Sequence, residues 1–99
     1  MLEIAVLAVL SKGETYGYGI LSRLDDAGLN GVGDASVYGT LRRLEEAGHL
    51  RSRLAESANG PARKYYAVTD SGRDAYRTGA ETWNRIGRAV DVLMGEPSS

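Results

Sequence analysis

Six basic side chains fall between Ser36 and Lys64: Arg42, Arg43, Arg51, Arg53, Arg63 and Lys64, against three acidic ones, Glu45, Glu46 and Glu56. That window carries a local excess of +3, whereas the rest of the 99-residue chain, with six basic and ten acidic residues, carries −4. Hydroxyls accompany the cations at Ser36 and Tyr38, and the small residues Ala35 and Gly39 leave the same stretch bare. Guanidinium, ammonium and hydroxyl donors beside uncluttered backbone are chemistry for gripping phosphate oxygens and reading polar edges. A segregated basic surface attracts a polyanion while the acidic remainder of the protein is repelled by it.

Other chemistries are set aside by what the chain lacks. There is no cysteine, which removes disulfides, thiol nucleophiles and thiolate metal sites together. His49 is the only histidine. It has no second imidazole with which to hold a metal and no nucleophile elbow to serve, so it reads as a helix-capping neighbour or a surface residue. The glycines of "GETYGYG" lack phosphate-cradling spacing after a strand and read as turn and close-packing positions. No metal, no cofactor and no enzymatic activity are expected.

The elements that must position these groups follow from periodicity. A composition 42% hydrophobic and 25% charged is that of one globular domain. So short a chain buries only about two thirds of its unfolded surface, which makes stabilisation by a partner subunit an expectation. No apolar run approaches the roughly 20 residues that span a bilayer, and no secretory signal opens the chain. A cytoplasmic, nucleoid-associated location without membrane contact is therefore expected.

"LEIAVLAVLS" is almost continuously apolar and reads as a helix buried on most sides, ending near Lys12-Gly13. "TYGYGILSRLDDAGL" predicts a second helix, capped by Thr15, with Ile20, Leu21 and Leu24 along one face and a stop near Gly28. After the turn residues of "NGVGD", Asp34 opens a third helix with an apolar stripe of Val37, Leu41 and Leu44 and a left-handed cap at Gly48. From Leu50 the period changes. "LRSRLAES" and "RKYYAVT" have strand character and "ANGPA" between them carries Asn59-Gly60 as the turn, giving a two-stranded hairpin. Thr69 or Asp70 then caps a long helix running to about Met94. Along it Tyr76, Gly79, Trp83, Ile86, Val90 and Leu93 are spaced 3, 4, 3, 4, 3, a heptad seam that needs a partner surface. About two and a half heptads are too few for an isolated coiled coil, so this helix must also pack on the first.

The expected fold is mostly α with a small β-hairpin: a winged helix-turn-helix over residues 1–68, a C-terminal dimerisation helix over 69–94 and a disordered tail at 95–99. With Val37 at the centre of the buried face, steps of about 100° per residue turn Ala35, Gly39, Arg42 and Glu46 outward, flanked by Ser36, Tyr38 and Arg43. In such a fold the N-terminal half of the third helix enters the major groove, where bulk is excluded. The expected DNA-contacting set is Ala35, Ser36, Tyr38, Gly39, Arg42 and Arg43 on the helix, with Asn59, Gly60, Arg63 and Lys64 of the wing beside it. The plain alternative for Arg42 and Arg43 is a solvated face paired within the helix to Glu45 and Glu46.

These residues carry a resemblance. "SVYGTLRRLEEAGHL" resembles the third-helix signature of the PadR-like transcriptional regulators, "GPARKYYAVTDSGR" is similar to that family's wing and strand motif, and "YGYGIL" fits the start of its second helix. The similarity runs from Leu2 to about Leu93, and the wing motif is its most specific part. It implies a winged-helix homodimer, joined through the C-terminal helix, that represses transcription from a double-stranded operator and is often released by a small molecule. Two positions depart from the pattern: Gly39 replaces a Pro that many members carry after the Tyr, and Tyr16 stands where a His is common.

Trp83 is the only tryptophan, flanked at i−4 and i+4 by Gly79 and Gly87. Small residues beside an indole leave a shelf in a symmetric dimer. The family resembled here includes members that stack flat aromatic or cationic compounds at this place. An effector site of Trp83, Gly79 and Gly87, lined by Ile4 and Leu7, is therefore expected within a dimer interface of Tyr76, Trp83, Ile86, Val90 and Leu93. Plain packing of Trp83 is the competing reading. For the whole protein the alternative is a winged-helix interaction module that reads no DNA, favoured by the net charge of −1.

Overall fold

The computed structural model describes residues 2–95. Their order is α1 (Leu2–Ser11), β1 (Thr15–Tyr16), α2 (Gly17–Asp26), α3 (Asp34–Glu46), β2 (Leu50–Ser57), β3 (Gly60–Val68) and α4 (Asp70–Leu93). Every residue of α1 is at least partly withdrawn from solvent, as its apolar run requires, and α2, α3 and α4 all pack against it. The core joins Val6, Leu7 and Leu10 of α1 to Ile20 and Leu24 of α2, to the Val37, Leu41 and Leu44 stripe of α3, and to Leu50, Tyr66 and Val68 of the sheet.

Thr40 joins that stripe although it is polar, and it is 0% exposed. Its hydroxyl donates to the Ser36 carbonyl at 2.8 Å and accepts from Arg43 Nη2 at 3.1 Å. With both roles of the hydroxyl used, burial leaves no unsatisfied group.

Three expectations need correction. The sheet has three antiparallel strands in the order β1-β3-β2, because Thr15 pairs with Tyr66 and Tyr16 with Tyr65. The free edge of a hairpin presents unpaired backbone groups, and β1 satisfies part of them. Thr15 is thus a strand residue and does not cap α2, whose N-cap is Tyr16 without a side-chain cap bond. The wing turn is also displaced. A register shift between Ala55 and Ser57 places Ser57 opposite Gly60, so the turn is Ala58-Asn59 and Gly60 already belongs to β3.

The helix ends follow their sequence signals. Gly48 adopts φ 82° after α3, with His49 N donating to Leu44 O at 2.8 Å and Gly48 N to Glu45 O at 3.0 Å, a Schellman closure that turns the chain toward the wing. Thr69 caps α4 by accepting from Gly72 N at 3.1 Å. Gly95, expected in the tail, instead closes α4 at φ 74°, donating to Val92 O at 3.0 Å. The remaining tail, 96–99, lies outside the described residues. The expected seat of α4 on α1 is present: a Cβ added at Gly79 would lie 3.0 Å from Ile4 Cγ1. No helix among the described residues is long and apolar enough to cross a membrane.

Candidate nucleic-acid interface

The outer face of α3 is as bare as its sequence implies. Ala35, Ser36, Tyr38, Arg42 and Arg43 are exposed, and Gly39 is half-buried, with Arg43 Nη1 at 3.6 Å from the place of its Cβ. Among the described residues Arg42 has no carboxylate within ion-pair distance, so the intrahelical pairing with Glu45 or Glu46 does not form. Arg43 folds back toward Thr40, and its charge is the smallest of the influences that hold the Glu3 carboxyl below its usual range, a backbone hydrogen bond being the largest.

The wing sits beside this helix. Asn59, Gly60, Arg63 and Lys64 are all exposed on it. Glu45 of α3 anchors both of its strands, accepting from Ser52 Oγ of β2 at 2.5 Å and pairing with Lys64 Nζ of β3 at 3.5 Å. These contacts, the Ser52 hydrogen bond first and the Lys64 charge after it, hold the Glu45 carboxyl below its usual range. On the other side Glu14 receives a bidentate pair from Arg53, at 3.0 Å from Nε and 2.6 Å from Nη2, which lowers the Glu14 pKa and raises that of Arg53. Of the six cations counted in the basic window, Arg53 and Lys64 are thus matched internally, leaving Arg42, Arg43, Arg51 and Arg63 without an ion pair among the described residues.

A cluster the sequence analysis did not assemble lies between α3 and the wing. Tyr16, Gly17, Tyr18, Tyr38, Arg63, Lys64 and Tyr66 line a shallow cleft of about 270 Å³. Tyr16 and Tyr18 stack with centroids 6.5 Å apart, Tyr65 tilts against Tyr16 at 5.5 Å, and the Arg63 guanidinium lies 4.7 Å over the Tyr16 ring. Gly17 is what lets Tyr38 lean in, because a Cβ there would stand 2.5 Å from the Tyr38 hydroxyl. Tyr18 remains 69% exposed at the mouth. The signal was present in "TYGYG" read together with "RKYY": aromatic residues interleaved with cations, brought together only once β1 pairs with β3.

The second expected site lies on α4. Trp83, Ile86, Val90 and Leu93 are exposed by 50, 49, 43 and 83%, while Tyr76 is half-buried against the core. Gly87 has open space around it, whereas the room beside Gly79 is taken by Ile4, and Leu7 lies in the core. No group of three or more potential metal ligands occurs among the described residues.

The model of the PadR-like family of transcriptional regulators matches residues 6–78. A curated relative from Lysinibacillus sphaericus, an uncharacterised protein, is 23% identical over 95 residues, covering 94% of this chain and 87% of its own length. Among solved structures, a PadR-like transcriptional regulator from Bacillus cereus is 31% identical, with a TM-score of 0.83 over 94% of this chain and 90% of the other. Bacillus subtilis PadR in complex with operator DNA is 28% identical, with a TM-score of 0.73 over 81% of this chain and 46% of that longer one.

Proposed function

The chain belongs to the PadR-like family of transcriptional regulators, and from that premise we propose that it is a sequence-specific DNA-binding repressor acting as a cytoplasmic, nucleoid-associated homodimer. The observation that carries the reading is the unpaired Arg42, exposed at the centre of a bare helix face with the wing beside it. Its guanidinium is free to meet a guanine edge or a phosphate bidentately. The operator complex of Bacillus subtilis PadR supports the choice of partner. Arg42, with Ala35, Ser36, Tyr38, Gly39 and Arg43, is assigned to the major groove, and Arg63 with the turn before it to the adjoining backbone.

The dimer is assigned to the stripe of Trp83, Ile86, Val90 and Leu93, too apolar and too continuous to be left in water. A two-fold dimer presents two recognition helices to half-sites about one helical turn apart. A flat aromatic or cationic effector stacking on Trp83 in that interface would change the spacing of the two helices and release the DNA.

Salt-titrated fluorescence anisotropy on duplexes drawn from the DNA upstream of the gene tests the reading. A DNA reader loses affinity steeply with salt and prefers one sequence, and Arg42→Ala is expected to weaken that preferred complex by about 1–3 kcal/mol while leaving the dimer intact. Salt-insensitive binding without sequence preference would favour the interaction-module reading that the net charge of −1 supports.

A further inference from the structure

Glu45 is an acid on the helix assigned to a polyanion, and both of its carboxylate oxygens are occupied: Oε2 by Ser52 Oγ, Oε1 by Lys64 Nζ. One side chain of α3 therefore ties β2 and β3 at once. Lys64 is further engaged by the Tyr66 ring, with Nζ 5.5 Å from its centroid. Its neighbour Arg63 lies over Tyr16 and has no carboxylate within ion-pair distance among the described residues. Two adjacent cations of the wing thus stand in opposite electrostatic situations, one neutralised by the protein and one not.

We infer that Glu45 regulates the charge of the DNA-binding surface: it retains Lys64 as an internal ion pair and withholds that charge from the phosphate backbone. The inference rests on the DNA-binding reading above. Sequence-independent affinity comes from cations that displace counterions from DNA, each adding about −0.9 to the slope of log K against log salt. A lysine already matched by a carboxylate displaces none. Base contacts from α3 are untouched by this subtraction, which lowers the sequence-independent attraction about equally for every duplex. The same carboxylate sets the position of the wing against the recognition helix through Ser52.

The test is the salt dependence of binding to a labelled duplex of unrelated sequence, measured by anisotropy for the wild type, Glu45→Gln, Lys64→Met and the double variant. The glutamine amide oxygen still accepts from Ser52, so the wing keeps its anchor while Lys64 is freed. Glu45→Gln is expected to steepen the slope by about 0.9, Lys64→Met alone to leave it unchanged, and the double variant to return to the wild-type slope. An unchanged slope in Glu45→Gln overturns the inference, as does a shallower one in Lys64→Met alone. A steepening that persists in the double variant also overturns it, since the effect then comes from removing the Glu45 carboxylate and not from freeing Lys64. Absence of any DNA binding by the wild type at low salt overturns the DNA-binding reading itself, a result distinct from binding with the wrong slopes.

Discussion

The Cα of Gly72 faces the backbone carbonyl of His49 so closely that an added Cβ would collide with that oxygen and stand 2.7 Å from Val68 Cγ2. Donors bolt the approach. Thr69 N donates to His49 O at 3.1 Å, and Thr69 Oγ1 and Ser71 Oγ donate to Gly48 O at 2.7 and 3.0 Å. The carbonyls that follow α3 thereby find partners in the capping turn of α4, and His49 Nδ1 adds a contact with Ser71 Oγ at 3.1 Å. The end of α3 and the start of α4 form one corner.

Gly72→Ala is accordingly expected to destabilise the protein by about 1–3 kcal/mol through overpacking, although alanine in an open helix interior gains up to about 1 kcal/mol over glycine. A lowered urea midpoint checks this. A raised one would mean that the corner opens without cost.

Gly39 gives the opposite sign. Only Arg43 Nη1, at 3.6 Å, lies near the place of its Cβ, so Gly39→Ala meets no clash. It should stabilise the fold by about 0.5–1 kcal/mol in thermal melts. Operator affinity should fall in the same variant, because the methyl group adds bulk to the surface proposed to face the groove. A stabilised variant with undiminished affinity would remove Gly39 from the contact surface.

On α4, Val90→Asp and Ile86→Asp place a charge in the proposed seam. Each apolar side chain buried there is worth about 1.5–3 kcal/mol, so either substitution should weaken dimerisation by tenfold or more. Sedimentation reads the mass, and a dimer that survives both changes would place the interface elsewhere.

Trp83 emission tests the proposed effector shelf. Planar aromatic and cationic compounds that stack on the indole should quench it, and binding of the same compounds, followed by their own absorbance, should be lost in Trp83→Leu. A broad panel without effect would leave Trp83 as a packing residue.

Acid should loosen the wing. Glu14 and Glu45 both have carboxyls lowered from the usual 4.5, by the Arg53 and Ser52 hydrogen bonds respectively. A depressed folded pKa means that the contribution to stability is complete above the unfolded value and disappears as pH falls through the folded one. Between about pH 5 and pH 3 the wild type should therefore lose more stability than Glu45→Gln, by an amount kept small by solvent exposure. Parallel pH dependences in urea melts of the two proteins would show that Glu45 carries no linkage.

The helices were legible in the sequence because their determinants are local. Apolar spacing marks the inward face of α3 at Val37, Leu41 and Leu44; Gly48 supplies the left-handed closure that few other residues adopt; and Thr69 caps α4 with its own hydroxyl. Arg42 could be placed on the outer face by the same arithmetic. What lay beyond the sequence depends on partners distant along the chain. Thr15 has the composition of a cap, yet the unpaired edge of β3 takes it as a strand residue opposite Tyr66. The one-residue shift at Ala55/Ser57 moves the wing turn off the Asn59-Gly60 pair. Which cations are free was equally a tertiary decision: Arg53 and Lys64 look no different from Arg51 and Arg63 in sequence, and only the approach of Glu14 and Glu45 neutralises the first two. Local propensity is written in nearest neighbours, whereas edge pairing and charge matching are settled by whichever groups folding brings into reach.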